Sequence, residues 1–285
     1  MASSATDSPI LAENYRFLKE YVYRESGIVL DDDKHYLLQA RLMPVAQQSQ
    51  LASLDALCAA LRNPGSNTGS NPGDPPLRKK VVEAITTHET LFFRDVAPFE
   101  ALKNEILPPL IDLRKATRKL SFWSAAASSG QEAYSLAMLL LEMGLEGWNI
   151  QICGTDLSDQ ILERARQGRY LQLEVNRGLP ANYLVKYFDR SGLDWQIKDR
   201  LRRMVHFERF DLRDSMRTKG PFDVIFCRNV LIYFDVETKK KILAELRGAL
   251  FPGGHLILGG SETTLNLDDQ FKRVAAGRAI LYQAP

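Results

Sequence analysis

The chain has 285 residues, 45% hydrophobic and 25% charged, with 37 basic and 35 acidic side chains for a net charge of +2. That length supports one large domain or two modest ones with a real core, in the composition range of a soluble globular protein. No apolar run reaches the ~18 residues needed to cross a bilayer, the first residues lack the basic and apolar regions of a signal peptide, and the balanced charge argues against a nucleic-acid partner.

Residues 12–62 read as helices with short breaks. "AENYRFLKEYVYRES" puts Tyr15, Phe17, Leu18, Tyr21 and Val22 near one face, "DDDKHYLLQARLMPVAQQ" opens on acids suited to a helix start, and "SLDALCAALRN" gives a third helix. The stretch 63–76, "NPGSNTGSNPGDPP", is almost entirely Pro, Gly, Ser and Asn. It offers too little apolar surface to order itself and reads as a flexible loop. "LRKKVVEAITT" resumes as helix. The expectation is a helical domain over residues 1–90 and a second domain over 91–285.

From about 119 the texture alternates. "LSFWSAAA" and "WNIQICGTDL" read as strands around the helix "EAYSLAMLLLEMG", and "SDQILERARQG" reads as a helix capped by Ser158 or Asp159. "FDVIFCRNVLIYF" reads as one continuous strand buried on both faces. "VETKKKILAELRGAL" reads as a helix, "PGG" as a turn, and "HLILGG" and "AILYQA" as two last strands. Such alternation predicts a parallel α/β sheet with helices on both faces. Residues 169–217 interrupt it with polar and basic sequence and read as an insertion or side lobe. Within it, residues 177–217 carry ten basic against six acidic side chains, either a solvated face or a surface for an acidic partner. Cys58, Cys153 and Cys227 are odd in number and far apart, and so read as reduced, buried thiols of a cytoplasmic protein. The four histidines lack metal-ligand spacing, so no metal is expected. No heptad or long apolar edge is evident, which predicts a monomer.

The stretch "SAAASSGQEAYSLAML" places small side chains between the first strand and the first helix of that sheet. Two readings fit. The small residues either let backbone approach a ligand or pack helix against strand. A full G-x-G-x-x-G fingerprint is missing, since Gly130 is the one glycine, and this favours a nucleoside without pyrophosphate. Asp156 ends the second strand, where it either accepts ribose hydroxyls or caps the next helix. Glu132 starts the first helix, where it either meets a cationic amino group or compensates the helix dipole. Together they suggest S-adenosylmethionine.

Four stretches, "TTHETLFFRD" (86–95), "WSAAASSGQEAYSLA" (123–137), "GTDLSDQILERARQGRY" (154–170) and "PFDVIFCRNVLIYFD" (221–235), supported by "GGSETTLNL" (259–267), resemble the CheR chemotaxis receptor methyltransferases. The resemblance covers nearly the whole chain. It implies an N-terminal helical domain that meets the cytoplasmic helical part of a chemoreceptor. It also implies a Rossmann-like class I methyltransferase sheet, with a small inserted β-subdomain near 176–210. The implied reaction is methyl transfer from S-adenosylmethionine to receptor glutamates, leaving S-adenosylhomocysteine, without membrane insertion. The implied cofactor contacts are His88, Thr90, Arg94, Ala126, Glu132, Asp156, Asp211, Leu212, Arg228 and Asn229, with Arg94 and Tyr233 orienting the acceptor. His88 stands where many members have asparagine, and Gln131 and Ala133 replace a common Glu and Pro. The arginine-rich receptor-facing helix of the family is reduced here to Lys34, His35 and Arg41. The stretch 188–207 is short, which implies a member that does not depend on a receptor C-terminal pentapeptide.

Overall fold

A computed structural model describes residues 10–31, 35–63 and 76–285. Most of the loop expected at 63–76, and Lys34, lie outside the described residues. The chain divides into two compact units, one of residues 1–87 with 233–235, the other of residues 88–232 with 236–285.

In the first unit, α1 (Ala12–Ser26), α2 (His35–Gln48), α3 (Leu54–Arg62) and α4 (Leu77–Ile85) pack around Leu18, Leu38, Leu42, Leu57 and Val81. Gly27 ends α1 in the left-handed conformation that a glycine adopts without strain. The Ser53 hydroxyl caps α3 by accepting from the Ala56 amide at 3.1 Å. Arg41 donates to the carbonyls of Ile85 and Thr86 and to the Thr87 hydroxyl, closing the carbonyl end of α4. That arginine is therefore engaged inside its own unit.

The second unit continues with α5 (Ala97–Ala101), a π turn (Leu102–Ile106), α6 (Leu107–Arg114), β1 (Lys119–Ala125), α7 (Gln131–Glu142), β2 (Asn149–Asp156) and α8 (Asp159–Gln167). A side lobe follows, of β3 (Arg169–Leu171), α9 (Gln172–Val175), α10 (Ala181–Tyr187), β4 (Phe188–Ser191), β5 (Asp194–Ile197) and α11 (Asp199–Arg202). The chain then forms β6 (Val205–Arg209), β7 (Phe222–Cys227), a short 3-10 turn (Leu231–Tyr233), α12 (Val236–Gly248), β8 (Leu250–Leu258), β9 (Lys272–Ala276) and β10 (Ala279–Gln283).

The main sheet has the order β6-β2-β1-β7-β8-β10-β9. Its first five strands are parallel, and β10 runs antiparallel to both β8 and β9. After β1 the chain builds outward to β2 and β6, then returns to the other side of β1 for β7 and β8. The order reverses between β1 and β7, the switch point at whose carboxyl ends open α/β sheets bind ligands.

Several expectations need correction. The apolar run at 222–234 is not one strand, because β7 ends at Cys227 and the chain leaves the sheet. The "PGG" stretch is no turn. It is a bulge inside β8, where pairing jumps from Phe222 with Leu250 to Val224 with His255. Residues 205–209, read as part of the side lobe, form the edge strand β6 of the main sheet, while the lobe's own sheet, β3-β5-β4, starts at Arg169, where the side lobe was read to begin and ahead of the 176 implied by the resemblance. Cys58 and Cys227 are buried but Cys153 is half-buried. Burial pushes the Cys58 thiol up to about 11 and that of Cys153 up to about 12, so both stay protonated at neutral pH. Among the described residues no helix is long and apolar enough to cross a membrane, and no cluster could hold a metal ion.

The core of the second unit is aromatic where β1, β2 and β6 meet α7. Trp123 is fully buried and its indole donates to the Thr155 hydroxyl at 2.9 Å. Phe207 on β6 lies across Gly154 on β2, and a Cβ at Gly154 would come within 2.6 Å of that ring. Tyr134 packs against the same ring with centroids 5.5 Å apart, so the ring cannot retreat. Gly154→Ala should therefore destabilise the protein by ~1–3 kcal/mol through overpacking, which denaturant unfolding of the two proteins will measure.

Candidate active site

The small-residue stretch takes shape between β1 and α7. Ala126, Ser128 and Gly130 all have positive φ, at 60°, 51° and 91°. Left-handed backbone is costly for residues bearing a Cβ, and such outliers cluster at functional sites. Here they are held from several sides. The Ala127 amide donates to the Thr155 carbonyl at 2.7 Å, and the Tyr170 hydroxyl donates to the Ser129 carbonyl at 2.7 Å. The Ser128 hydroxyl donates to the His88 carbonyl at 3.0 Å, which fixes the segment ahead of α5 to this loop. Gly130 is required for space as well as for φ, because a Cβ there would sit 3.0 Å from Phe207 and 3.1 Å from Ala165.

Asp156 sits at the carboxyl end of β2 and is 8% exposed. Its Oδ2 accepts from the Ser128 amide at 2.9 Å and its Oδ1 from the Ser158 amide at 3.1 Å. It does not cap α8. Ser158 does, its hydroxyl accepting from the Ile161 amide at 3.1 Å. Burial pushes the Asp156 carboxyl above the usual carboxylate range, opposed by His88 and by the amides of Ser158, Ser128 and Leu157.

Glu132 lies in the first turn of α7. Its Oε1 accepts from the Ser124 hydroxyl at 2.8 Å and its Oε2 from Arg228 at 3.0 Å. The Arg228 side chain is 2% exposed and also donates to the Asp95 carboxylate at 2.6 Å and to the Arg94 carbonyl at 3.0 Å. Its Nε is buried without a partner among the described residues. Arg228 thus ties three segments together: the end of β7, the start of α7 and the stretch 93–96. In that stretch Phe93, Asp95 and Val96 all have positive φ, at 49°, 66° and 40°, and Val96 is β-branched. The half-buried Arg94 donates once, to the Glu89 carbonyl at 3.0 Å.

His88 and Thr90 are half-buried on the segment leading to Arg94. The Asp211 carboxylate is engaged by the Arg213 side chain and the Arg213 amide, the latter at 2.9 Å, and Leu212 is buried beside it. Asn229 follows Arg228 with φ 57°. Tyr233 is half-buried and groups with the first unit, where its carbonyl accepts from the Val29 amide at 2.9 Å. His88, Ala126, Glu132, Asp156, Arg228 and Asn229 are gathered around the β1–β7 switch. Asp95, Ser124 and Glu262 share their bonds, Tyr170 holds the loop at Ser129, and none of the four was singled out in the sequence, although each lies in one of the stretches that carry the resemblance.

This donor set fits a nucleoside bearing a cationic amino acid. Two carboxylates lie on either side of the loop, Asp156 at the end of β2 and Glu132 in the first turn of α7, and each oxygen that accepts one donor keeps a lone-pair site. The loop between them is glycine-poor and carries no lysine or arginine for a pyrophosphate. A separate cavity of about 390 Å³ lies at the carboxyl end of β8, lined by Asp95, Arg228, Gly259, Glu262, Arg273 and Tyr282 among others.

Comparison with known proteins agrees with this geometry. Residues 88–280 match the "CheR methyltransferase, SAM binding domain" and residues 13–71 the "CheR methyltransferase, all-alpha domain". The chain is 40% identical over 277 residues to chemotaxis protein methyltransferase 1 of Pseudomonas aeruginosa, covering 95% of this chain and 97% of that one. It is 39% identical to chemotaxis protein methyltransferase Cher2 of Pseudomonas putida, covering 95% and 98% of the two chains. It is 40% identical to the chemotaxis protein methyltransferase of Vibrio parahaemolyticus, covering 95% and 96%.

The raised Asp156 carboxyl has a consequence for binding. Ribose hydroxyls, the contact the resemblance implies for Asp156, would donate to the charged form, so affinity should be full above the folded-state pKa and fall as pH drops through it. Calorimetry with S-adenosylhomocysteine from neutral to mildly acidic pH should show that decline. Asp156→Asn should bind ~10- to 100-fold more weakly at neutral pH, from loss of charge-assisted hydrogen bonds of ~1.5–3 kcal/mol, and should flatten the pH profile.

Proposed function

The chain belongs to the CheR methyltransferase family, and on that premise we propose that it transfers the methyl group of S-adenosylmethionine to glutamate side chains of chemoreceptors. The observation that carries this reading is a pair of carboxylates flanking a left-handed small-residue loop, Asp156 at the end of β2 and Glu132 in the first turn of α7, the latter joined through Arg228 to the segment that bears Arg94. Bound S-adenosylmethionine supplies an electrophilic methyl on a sulfonium. A glutamate side chain, with an ordinary pKa of ~4.3, is already an anion at neutral pH and needs no general base. One carboxylate oxygen attacks the methyl carbon in line, the new C–O bond forms as the C–S bond breaks, and the electron pair stays on sulfur. Charge cancels, and no proton moves.

What this chain contributes is orientation. Glu132 meets the amino group of the cofactor's methionine end and Asp156 its ribose. His88, Thr90, Ala126, Asp211, Leu212 and Asn229 complete the proposed cofactor contacts. The Arg228 side chain holds Glu132 and Asp95, so its part in binding runs through them. Arg94 and Tyr233 are the proposed acceptor-orienting groups. In support, Arg94 makes one side-chain hydrogen bond to the described residues, leaving most of its guanidinium free for a carboxylate, and the Tyr233 hydroxyl makes none.

The partner is the cytoplasmic helical part of a receptor, met by a monomer in the cytoplasm through the N-terminal helical domain. With Arg41 engaged at the end of α4, that surface offers fewer cations than the family's usual pattern. On the side lobe, Lys186, Lys198, Arg200 and Arg202 pair with Glu142, Asp189, Glu146 and Asp199, so its basic run is largely compensated within the chain. We also propose that no receptor tail is required. Strands β4 and β5 are joined by a two-residue turn, Gly192-Leu193, between paired Ser191 and Asp194, with Gly192 at φ 64°. So tight a hairpin fixes its register and leaves no long loop to wrap a peptide.

Labelled methyl transfer onto membranes containing receptors tests the activity. Arg94→Ala should lower turnover at least ~100-fold by disorienting the acceptor, while binding S-adenosylhomocysteine within a few-fold of wild type. Tyr233→Phe should lower turnover with little loss of stability. Wild-type rates in both variants would remove the proposed acceptor site.

Calorimetry with receptor C-terminal pentapeptides, run beside a tail-binding family member, should give no heat. Micromolar binding would overturn tail independence, and methylation of tailless receptors would support it.

A further inference from the structure

Beyond β8 the chain passes Gly259, Gly260 and Ser261 and reaches Glu262. The carboxylate of Glu262 accepts four backbone amides. Its Oε2 takes Gly259 at 2.7 Å and Asn229 at 2.8 Å, and its Oε1 takes Val230 at 2.9 Å and Leu231 at 2.8 Å. A carboxylate has about four lone-pair sites, so all are filled. The group has no capacity left to act as a base or to hold a ligand.

We propose that Glu262 is a positioning residue for methyl transfer, a clamp that fixes the Arg228–Leu231 turn against the end of β8. The proposal rests on the reading that Asn229 lines the cofactor beside the transferred methyl. Three observations carry it. First, Asn229, Val230 and Leu231 follow the last residue of β7 by two to four positions, and their amides have left the sheet ladder. Asn229 is left-handed besides. Three successive amides converging on one anion hold such a turn more firmly than neutral acceptors would. Second, Gly259 is the one residue type that admits the arrangement. A Cβ there would fall 2.7 Å from Glu262 Oε2, 2.8 Å from Asn229 Nδ2 and 2.9 Å from the Asn229 amide nitrogen. Third, Arg228 immediately precedes the clamped amides, and its guanidinium holds Glu132 and the Arg94 carbonyl. A slip of the turn would therefore displace the cofactor acid and the backbone of Arg94 together.

The test uses the full chain. Glu262→Gln keeps the shape, but its amide nitrogen cannot accept, so it loses two of the four bonds. It should lower kcat ~10- to 100-fold, as displacements of about 1 Å at a reacting centre do, weaken S-adenosylhomocysteine binding several-fold, and leave the receptor KM within about twofold. Gly259→Ala, which pushes the clamp open with its charge intact, should reproduce that pattern. Asp268→Asn, which breaks the buried Arg247–Asp268 pair at 2.9 Å, serves as the purely structural control. It should lower Tm and leave kcat unchanged at a temperature where all variants are folded. If Glu262→Gln and Gly259→Ala keep kcat within twofold of wild type, or lose no more than Asp268→Asn at equal loss of Tm, the proposal is overturned. Hydrogen exchange in the wild type needs no variant: the amides of Asn229, Val230, Leu231 and Gly259 should exchange slowly, and fast exchange overturns the clamp. A wild type that binds S-adenosylhomocysteine but does not methylate receptors would count against the acceptor assignment, while the exchange and binding measurements still decide the clamp.

Discussion

The second unit is organised around a guanidinium withdrawn from water. A buried cation persists only when paired and hydrogen-bonded, because desolvation otherwise costs several kcal/mol. Arg228 meets that demand with the carboxylates of Asp95 and Glu132 and the carbonyl of Arg94. Removing any one of these would leave a charge stranded, so the three segments are fixed in mutual register. The neighbouring Glu262 follows the same rule with the sign reversed, as an anion compensated by four amide dipoles in place of a cation. A buried cation on one side of the strand end and a half-buried anion on the other make the carboxyl end of β7 rigid.

Rigidity is needed because the backbone there is strained. Non-glycine residues with positive φ collect at 93–96, at 126–128 and at 229. Each costs on the order of 1–3 kcal/mol and survives only where its surroundings over-determine it. The ion pairs of Arg228, the amides on Asp156 and Glu262 and the tyrosine bond to Ser129 supply that over-determination. For the glutamate methylation proposed above, which needs alignment and no proton transfer, holding such backbone in place is the greater part of the protein's task.

Much of this was legible in the sequence, and the parts that were not have physical reasons. The loop of small residues, Asp156 at its strand end and Ser158 as a cap could be read because strand, turn and helix signals fall in order there. Glu262 could not, since it sits in a turn with no periodicity and its meaning lies in amides some thirty residues away. Asp95 read as an ordinary charge, and Arg228, read as a cofactor contact, spends its side chain on Asp95 and Glu132 once burial pairs them. Strand β6 was taken for side-lobe sequence because "VHFER" is short and polar at its edge, and its partner strand alone assigns it to the main sheet. The run 222–234 read as one strand because apolar residues continue past Cys227, although their backbone has already turned away.

The switch in strand order between β1 and β7 also partitions how the molecule can change. Asp156 and the small-residue loop rest on β1, β2 and β6, whereas the walls of the cavity beside Arg228 rest largely on β8, β9, β10 and the start of α5. At the carboxyl end of that seam the side-chain link is the Arg228–Glu132 pair. Substitutions along the β8–β10 half that spare Gly259 and Glu262 can accumulate without disturbing the geometry of the other half. A lineage built on this sheet can therefore drift towards new acceptors while keeping one methyl donor.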